Sequence, residues 1–203
     1  MLHGGFSYIS PETEPMDGPL PAMVFLHGSA GNFKPYLWLW SKLAEEQGIV
    51  IIAPSFGFGN WRQSGGATSV LQALDDAAKM IEIDQTQVYL AGLSNGGLGV
   101  SQLAEESPER FRGLIFISPV MATEIVDKAT FSDLWRGRPV LVVTGQADQR
   151  VPISYVRQRV SILKAGGVEV ADITYSGEDH FLFFSQSENV LNDVANWLSE
   201  INP

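Results

Sequence analysis

YLAGLSNGGLG, Tyr89 to Gly99, decides how the rest of the chain is read. Its first residues close an apolar run, Gln87–Gly92, with the character of a strand. Asn95 onward opens a helical run, NGGLGVSQLAEESPE, that stops near Pro108. Ser, Asn and Gly are turn-formers, so an ordinary turn would account for the composition. The frame Gly92–Leu93–Ser94–Asn95–Gly96 has a sharper reading. It is the G-x-S-x-G pattern, in which a strand bends abruptly into a helix and holds a serine out at the bend. Positions two before and two after the serine crowd each other in such a bend, and both are glycine here. The helix beginning there offers unpaired N–H groups and a positive dipole end to a developing anion.

Outward from this bend, strand-like and helix-like runs alternate. AMVFLH (22–27), IVIIA (49–53), GLIFIS (113–118), PVLVVTG (139–145) and VEVADITY (168–175) read as strands. PYLWLWSKLAEEQG (35–48) begins with proline and ends with glycine, the asymmetry of a helix. TSVLQALDDAAKMIEI (68–83) puts Leu71, Leu74, Ala78 and Ile81 on one helical face. ISYVRQRVSILKAGG (153–167) and SENVLNDVANWLSEI (187–201) are further helices. Trp38 and Trp40 stand two apart, so they cannot share a face. Residues 10–21 carry four prolines and read as an extended arm. Wholly apolar strands alternating with helices predict a mostly parallel sheet covered on both faces. Sites in such sheets form just beyond the C-terminal ends of the strands.

The composition narrows the chemistry. The 203 residues suit one domain, 1–203, with 1–21 as an N-terminal arm or edge strand. Thirteen Lys and Arg against 23 Asp and Glu give a net charge of −10, which argues against a nucleic-acid partner. There is no cysteine, which removes disulfides, thiolate metal sites and a cysteine nucleophile. Nothing in the pattern calls for a metal or an organic cofactor. No apolar run reaches membrane-spanning length, and the N-terminus lacks a signal-peptide pattern, so a cytoplasmic location is expected. Oligomeric state leaves no mark in the sequence.

A serine nucleophile needs a base, and the histidines are His3, His27 and His180. His3 falls in the arm. His27 ends a strand ahead of the serine, inside HGSAG, where bracing that loop is the expected role. His180 follows the last strand, on the same sheet edge as Ser94. The orienting carboxylate is Asp148, after strand 139–145, with Asp133, Glu178 and Asp179 as rivals. Glu178 and Asp179 adjoin His180 and would have to curl back to its ring. An oxyanion hole requires two donors: the N–H of Asn95 and, from the HGSAG loop, the N–H of Ser29 or of Gly28.

These pieces together resemble the α/β-hydrolase superfamily, and within it the small carboxylesterases of the phospholipase/carboxylesterase and dienelactone-hydrolase-like groups. The matching segments are FLHGSAGN, DQTQVYLAGLSNGG, PVLVVTGQADQRVP and GEDHF, spanning Phe25 to Phe181. The resemblance implies a three-layer sandwich and a Ser94–Asp148–His180 triad in the order of that superfamily, with Ser29 and Asn95 at the oxyanion. It implies a serine hydrolase that cleaves small carboxylic esters through an acyl-enzyme. Thioesterase, peptidase and depolymerase activities use the same fold, and a non-catalytic binder is the further alternative. Asn32 departs from the acidic residue that usually closes the oxyanion-loop motif. Only about 20 residues separate strands 113–118 and 139–145, so no large lid is expected. Phe56, Trp61 and Met121, all placed after strands, are the expected lining of a substrate pocket.

Overall fold

The computed structural model describes residues 5–11, 18–29 and 33–202. His3 and Asn32 lie outside them. The chain runs β1 (Phe6–Ile9), β2 (Leu20–Leu26), α1 (Phe33–Gln47), β3 (Val50–Pro54), α2 (Gly66–Ala77), β4 (Ile83–Leu93) and α3 (Gly96–Glu106). It continues with β5 (Gly113–Ile117), α4 (Thr123–Val126), α5 (Ala129–Trp135), β6 (Pro139–Gly145), α6 (Ile153–Ala165), β7 (Glu169–Tyr175), α7 (Leu182–Ser185) and α8 (Ser187–Ile201). The strands form one sheet in the order β1-β3-β2-β4-β5-β6-β7. All neighbours are parallel except β1, which pairs antiparallel with β3.

Side chains alternate across a strand, and here both faces are covered, so each strand must be apolar throughout. Val24, Leu90, Phe116 and Val142 point into one core with α2, α3 and α6. Phe25, Tyr89, Ile115 and Leu141 point into the other, under α1 and α8. Helix α1 shows the division within one turn: Trp40 is buried, whereas Trp38 is 67% exposed. The result is the three-layer sandwich expected.

One difference from the expected elements has a local cause. Helix α2 ends at Ala77, six residues short of the predicted 83, and its buried face is Val70, Ala73, Leu74 and Ala77. The chain leaves the helix because Leu20 N–H bonds the Glu82 carbonyl and Ile83 pairs with Leu20, extending β4 backward. The connection 119–138 contains α4 and α5. Phe131 and Trp135 are buried, and the Trp135 indole N–H donates to the Ala104 carbonyl at 2.9 Å. This segment therefore packs on α3, and among the described residues no large lid covers the strand ends.

Candidate active site

The bend after β4 is built by steric necessity. Ser94 has φ +52, a left-handed conformation that L-residues avoid at a cost of roughly 1–2 kcal/mol. The conformation is held from outside: Ser94 N–H donates to Ile117 O, and its carbonyl accepts from Gly97 N–H and Val120 N–H. A Cβ at Gly92 would meet the Gly96 carbonyl carbon at 2.6 Å, as the crowding argument predicts. Gly96 has a different constraint. A Cβ there would lie 2.0 Å from the Leu26 carbonyl oxygen, so its smallness serves the approach of α3 to β2.

Four strand ends deliver the polar groups. His180 Nδ1–H donates to Asp148 Oδ2 at 2.7 Å, and His180 Nε2 lies 2.9 Å from Ser94 Oγ. With Nδ1 carrying a proton toward the carboxylate, Nε2 is left to accept the serine proton. Asp148 is buried, and its Oδ1 accepts the N–H groups of Arg150 and Val151 at 2.9 and 2.8 Å. The loops bearing Asp148 and His180 are tied to each other, since Ala147 N–H donates to Glu178 O. The rival carboxylates are engaged elsewhere. Asp133 pairs with Arg136, Asp179 accepts Phe181 N–H, and Glu178 accepts from Ser185 and Gln186.

The loop after β2 comes up beside the serine. A Cβ on Gly28 would stand 3.3 Å from Ser94 Cβ, so only glycine allows this approach without a shift. Ser29 and Asn95 are neighbours: Asn95 Nδ2 lies 2.5 Å from Ser29 Oγ. Among the described residues the backbone N–H groups of Ser29 and Asn95 donate to no carbonyl. His27 is buried, its Nδ1–H bonding the Gly28 carbonyl at 2.8 Å. Burial holds its pKa below the ordinary imidazole value, against a smaller opposing effect of the Gly28 bond.

Ser94, His180, Ser29 and Asn95 line a half-open cavity of about 320 Å³. Its apolar wall comprises Tyr36, Phe181, Phe183 and Phe184, together with Val120. The expected lining of Phe56, Trp61 and Met121 is corrected here: none of the three reaches this cavity. Trp61 is buried beneath it, its indole N–H donating to the His27 carbonyl at 2.8 Å and its ring against the His27 edge. Phe56 stacks on Trp61, and Met121 is buried with its backbone bonded to the Tyr155 hydroxyl. Aromatic side chains beside a strand end fill the core when space lies below them. The actual lining had a sequence signal in HFLFF, His180 to Phe184, which places aromatic rings directly after the histidine.

A larger cavity, about 530 Å³, lies at the opposite ends of the strands, around Arg112, Arg138 and Glu169. Arg112 and Arg138 are occupied there with main-chain carbonyls, and no hydroxyl–imidazole pair is present. The hydroxyl–imidazole–carboxylate arrangement lies at the smaller cavity. Among the described residues no cluster of His, Asp and Glu could hold a metal ion, and no helix is long and apolar enough to cross a membrane.

Fold and site define a member of the α/β-hydrolase superfamily, and comparison with known proteins narrows the class. Residues 18–138 match the family model described as "Serine aminopeptidase, S33", and the chain belongs to that family. Residues 127–202 also match the prolyl oligopeptidase family. A bifunctional acetylxylan esterase/xylanase of Neocallimastix patriciarum is 32% identical over 96 residues, covering 42% of this chain and 14% of that protein. The acylamino-acid-releasing enzyme of Arabidopsis thaliana is 27% identical over 230 residues, covering 89% of this chain and 30% of that protein. The chain thus spans less than a third of either relative. Among solved structures, Est1E from Butyrivibrio proteoclasticus superposes with a TM-score of 0.77 at 20% identity, covering 96% of this chain and 93% of that one. That likeness establishes the fold.

Proposed function

We propose that this protein is a serine esterase acting on small carboxylic esters. The observation that carries the reading is the unbroken relay from Ser94 Oγ through His180 to Asp148, at 2.9 and 2.7 Å. In the proposed reaction Ser94 Oγ attacks the ester carbonyl carbon while His180 Nε2 takes the hydroxyl proton. Asp148 keeps the ring oriented and stabilises the imidazolium. The carbonyl oxygen becomes an oxyanion between the N–H groups of Ser29 and Asn95. Collapse breaks the bond to the alcohol oxygen, which receives the proton from His180 Nε2. Water then attacks the acyl-enzyme, gives its proton to His180, and Ser94 is released with the carboxylic acid. No step needs a metal or cofactor.

The modest cavity beside Ser94 supports a small substrate, and the similarity to an acetylxylan esterase supports an ester. A second reading, cleavage of acylated amino acids, is favoured by the match to the acylamino-acid-releasing enzyme over 89% of the chain. A fluorophosphonate probe tests the nucleophile: the native protein should be labelled and Ser94→Ala should not. Labelling that persists in Ser94→Ala would remove Ser94 from the reaction. Turnover of p-nitrophenyl acetate against N-acetyl-alanine p-nitroanilide then separates the two readings, with the ester expected to be the better substrate.

A further inference from the structure

We infer that the Ser29 hydroxyl is a third donor to the oxyanion, held for that purpose by the Asn95 side chain. The inference rests on the esterase reading and adds a side-chain donor to its two backbone ones. It starts from the contact between Asn95 Nδ2 and Ser29 Oγ at 2.5 Å. An amide nitrogen has only protons to offer, so the serine oxygen accepts and one of its lone pairs is occupied. The hydroxyl proton is then directed away from Asn95. Among the described residues Asn95 is the partner this hydroxyl has. Ser29 lines the same cavity as Ser94 and His180 and follows Gly28, which packs against Ser94. A proton turned away from Asn95 on this loop is available to an oxygen lying between the Ser29 and Asn95 amides.

The same contact couples the two halves of the hole. Ser29 belongs to the loop after β2, and Asn95 to the start of α3. A bridge between them holds their backbone donors in fixed separation before substrate arrives, which is where electrostatic preorganisation has its effect. Asn95 is therefore a positioning residue through its side chain, while Ser29 touches the reacting atoms. The polarity of the bridge is the critical point. Were Oδ1 of Asn95 to accept the serine proton, the hydroxyl would be turned away from the oxyanion. Asn95→Asp imposes that arrangement, because a carboxylate only accepts.

The experiment measures kcat and KM on p-nitrophenyl acetate, and inhibition by phenylboronic acid as a tetrahedral mimic, for Ser29→Ala, Ser29→Thr, Asn95→Ala and Asn95→Asp. Circular dichroism melts check that each variant is folded. Ser29→Ala should lower kcat by about 100-fold with little change in KM, the pattern of a contact made only in the transition state. Phenylboronic acid affinity should fall in parallel, and Ser29→Thr, which keeps the hydroxyl, should recover most of both. Asn95→Asp should be less active than Asn95→Ala. The inference is overturned if Ser29→Ala retains kcat, if it loses kcat while phenylboronic acid still binds normally, or if Asn95→Asp matches or exceeds Asn95→Ala. Persistent probe labelling of Ser94→Ala would instead defeat the esterase reading itself.

Discussion

At the residue scale, Ser94 and His27 each carry a measurable cost. Ser94 keeps its left-handed backbone only because the surrounding chain holds it there. Glycine removes that strain, so Ser94→Gly should be more stable than Ser94→Ala by about 1 kcal/mol, read as a higher Tm, with both inactive. Equal melting temperatures would mean that no strain is stored. His27 is buried, with a pKa held below the ordinary value. The unfolded chain therefore binds its proton more readily than the folded one. Stability from this group is present above the unfolded pKa of about 6.5 and is lost as pH falls below it. His27→Asn keeps a donor for Gly28 O but cannot titrate. Denaturant melts of the two proteins should show the native advantage shrinking from pH 7 to pH 5. A constant gap would place the titration elsewhere.

At the element scale, Gly96 is the most exacting position in the bend. A Cβ there meets main-chain carbonyls, at 2.0 Å for Leu26, and the strand cannot yield as a flexible side chain could. Gly96→Ala should destabilise by about 3 kcal/mol or more. Gly137 has positive φ but open space around it, so Gly137→Ala should cost only about 1 kcal/mol. A similar cost at both sites would show that α3 can slide off β2. The elements around this bend were readable from sequence where burial on both faces leaves an apolar run. Strand β6 and helix α8 fall at the expected residues, 139–145 and 187–201. Helix α2 was not, because apolar spacing at Ala78 and Ile81 continues past the point where a bond from Leu20, far back in the chain, stops the helix. In the 119–138 connection, α5 buries Phe131 and Trp135, and the Trp135 indole is tied to α3 through the Ala104 carbonyl. The polar groups were legible because each follows a strand. The cavity wall was not: position after a strand says that Phe56 and Trp61 are near the edge, not whether they face up or down.

At the scale of the whole molecule, the esterase reading makes the half-open cavity, with no large lid among the described residues, the limit on substrate size. The wall of Tyr36, Phe181 and Phe184 can cover only a few methylenes. Each covered CH₂ contributes about 0.8 kcal/mol, or roughly fourfold in kcat/KM, and further ones lie in water. For p-nitrophenyl esters kcat/KM should therefore peak within about C2 to C6. The rate should also rise smoothly through the solubility limit of a longer ester, since no large cover has to open. A continued rise beyond C8, or a jump at an emulsion surface, would contradict this.

The order of strands has a consequence for how the protein fails. Among the described residues β7 stands at the sheet margin with β6 as its one strand neighbour, and the His180 loop follows directly from it. Ser94, by contrast, hangs from β4 in the middle of the sheet. Margins open before centres, at lower free energy than global unfolding. On warming, turnover should fade while the far-ultraviolet signal is still native, and return on cooling. Amide exchange should be quicker in β7 than in β4 over the same range. The temperature limit of the catalyst would then be set by a single row of hydrogen bonds, and reinforcing the pairing of β7 with β6 would raise it more than any repacking of the core.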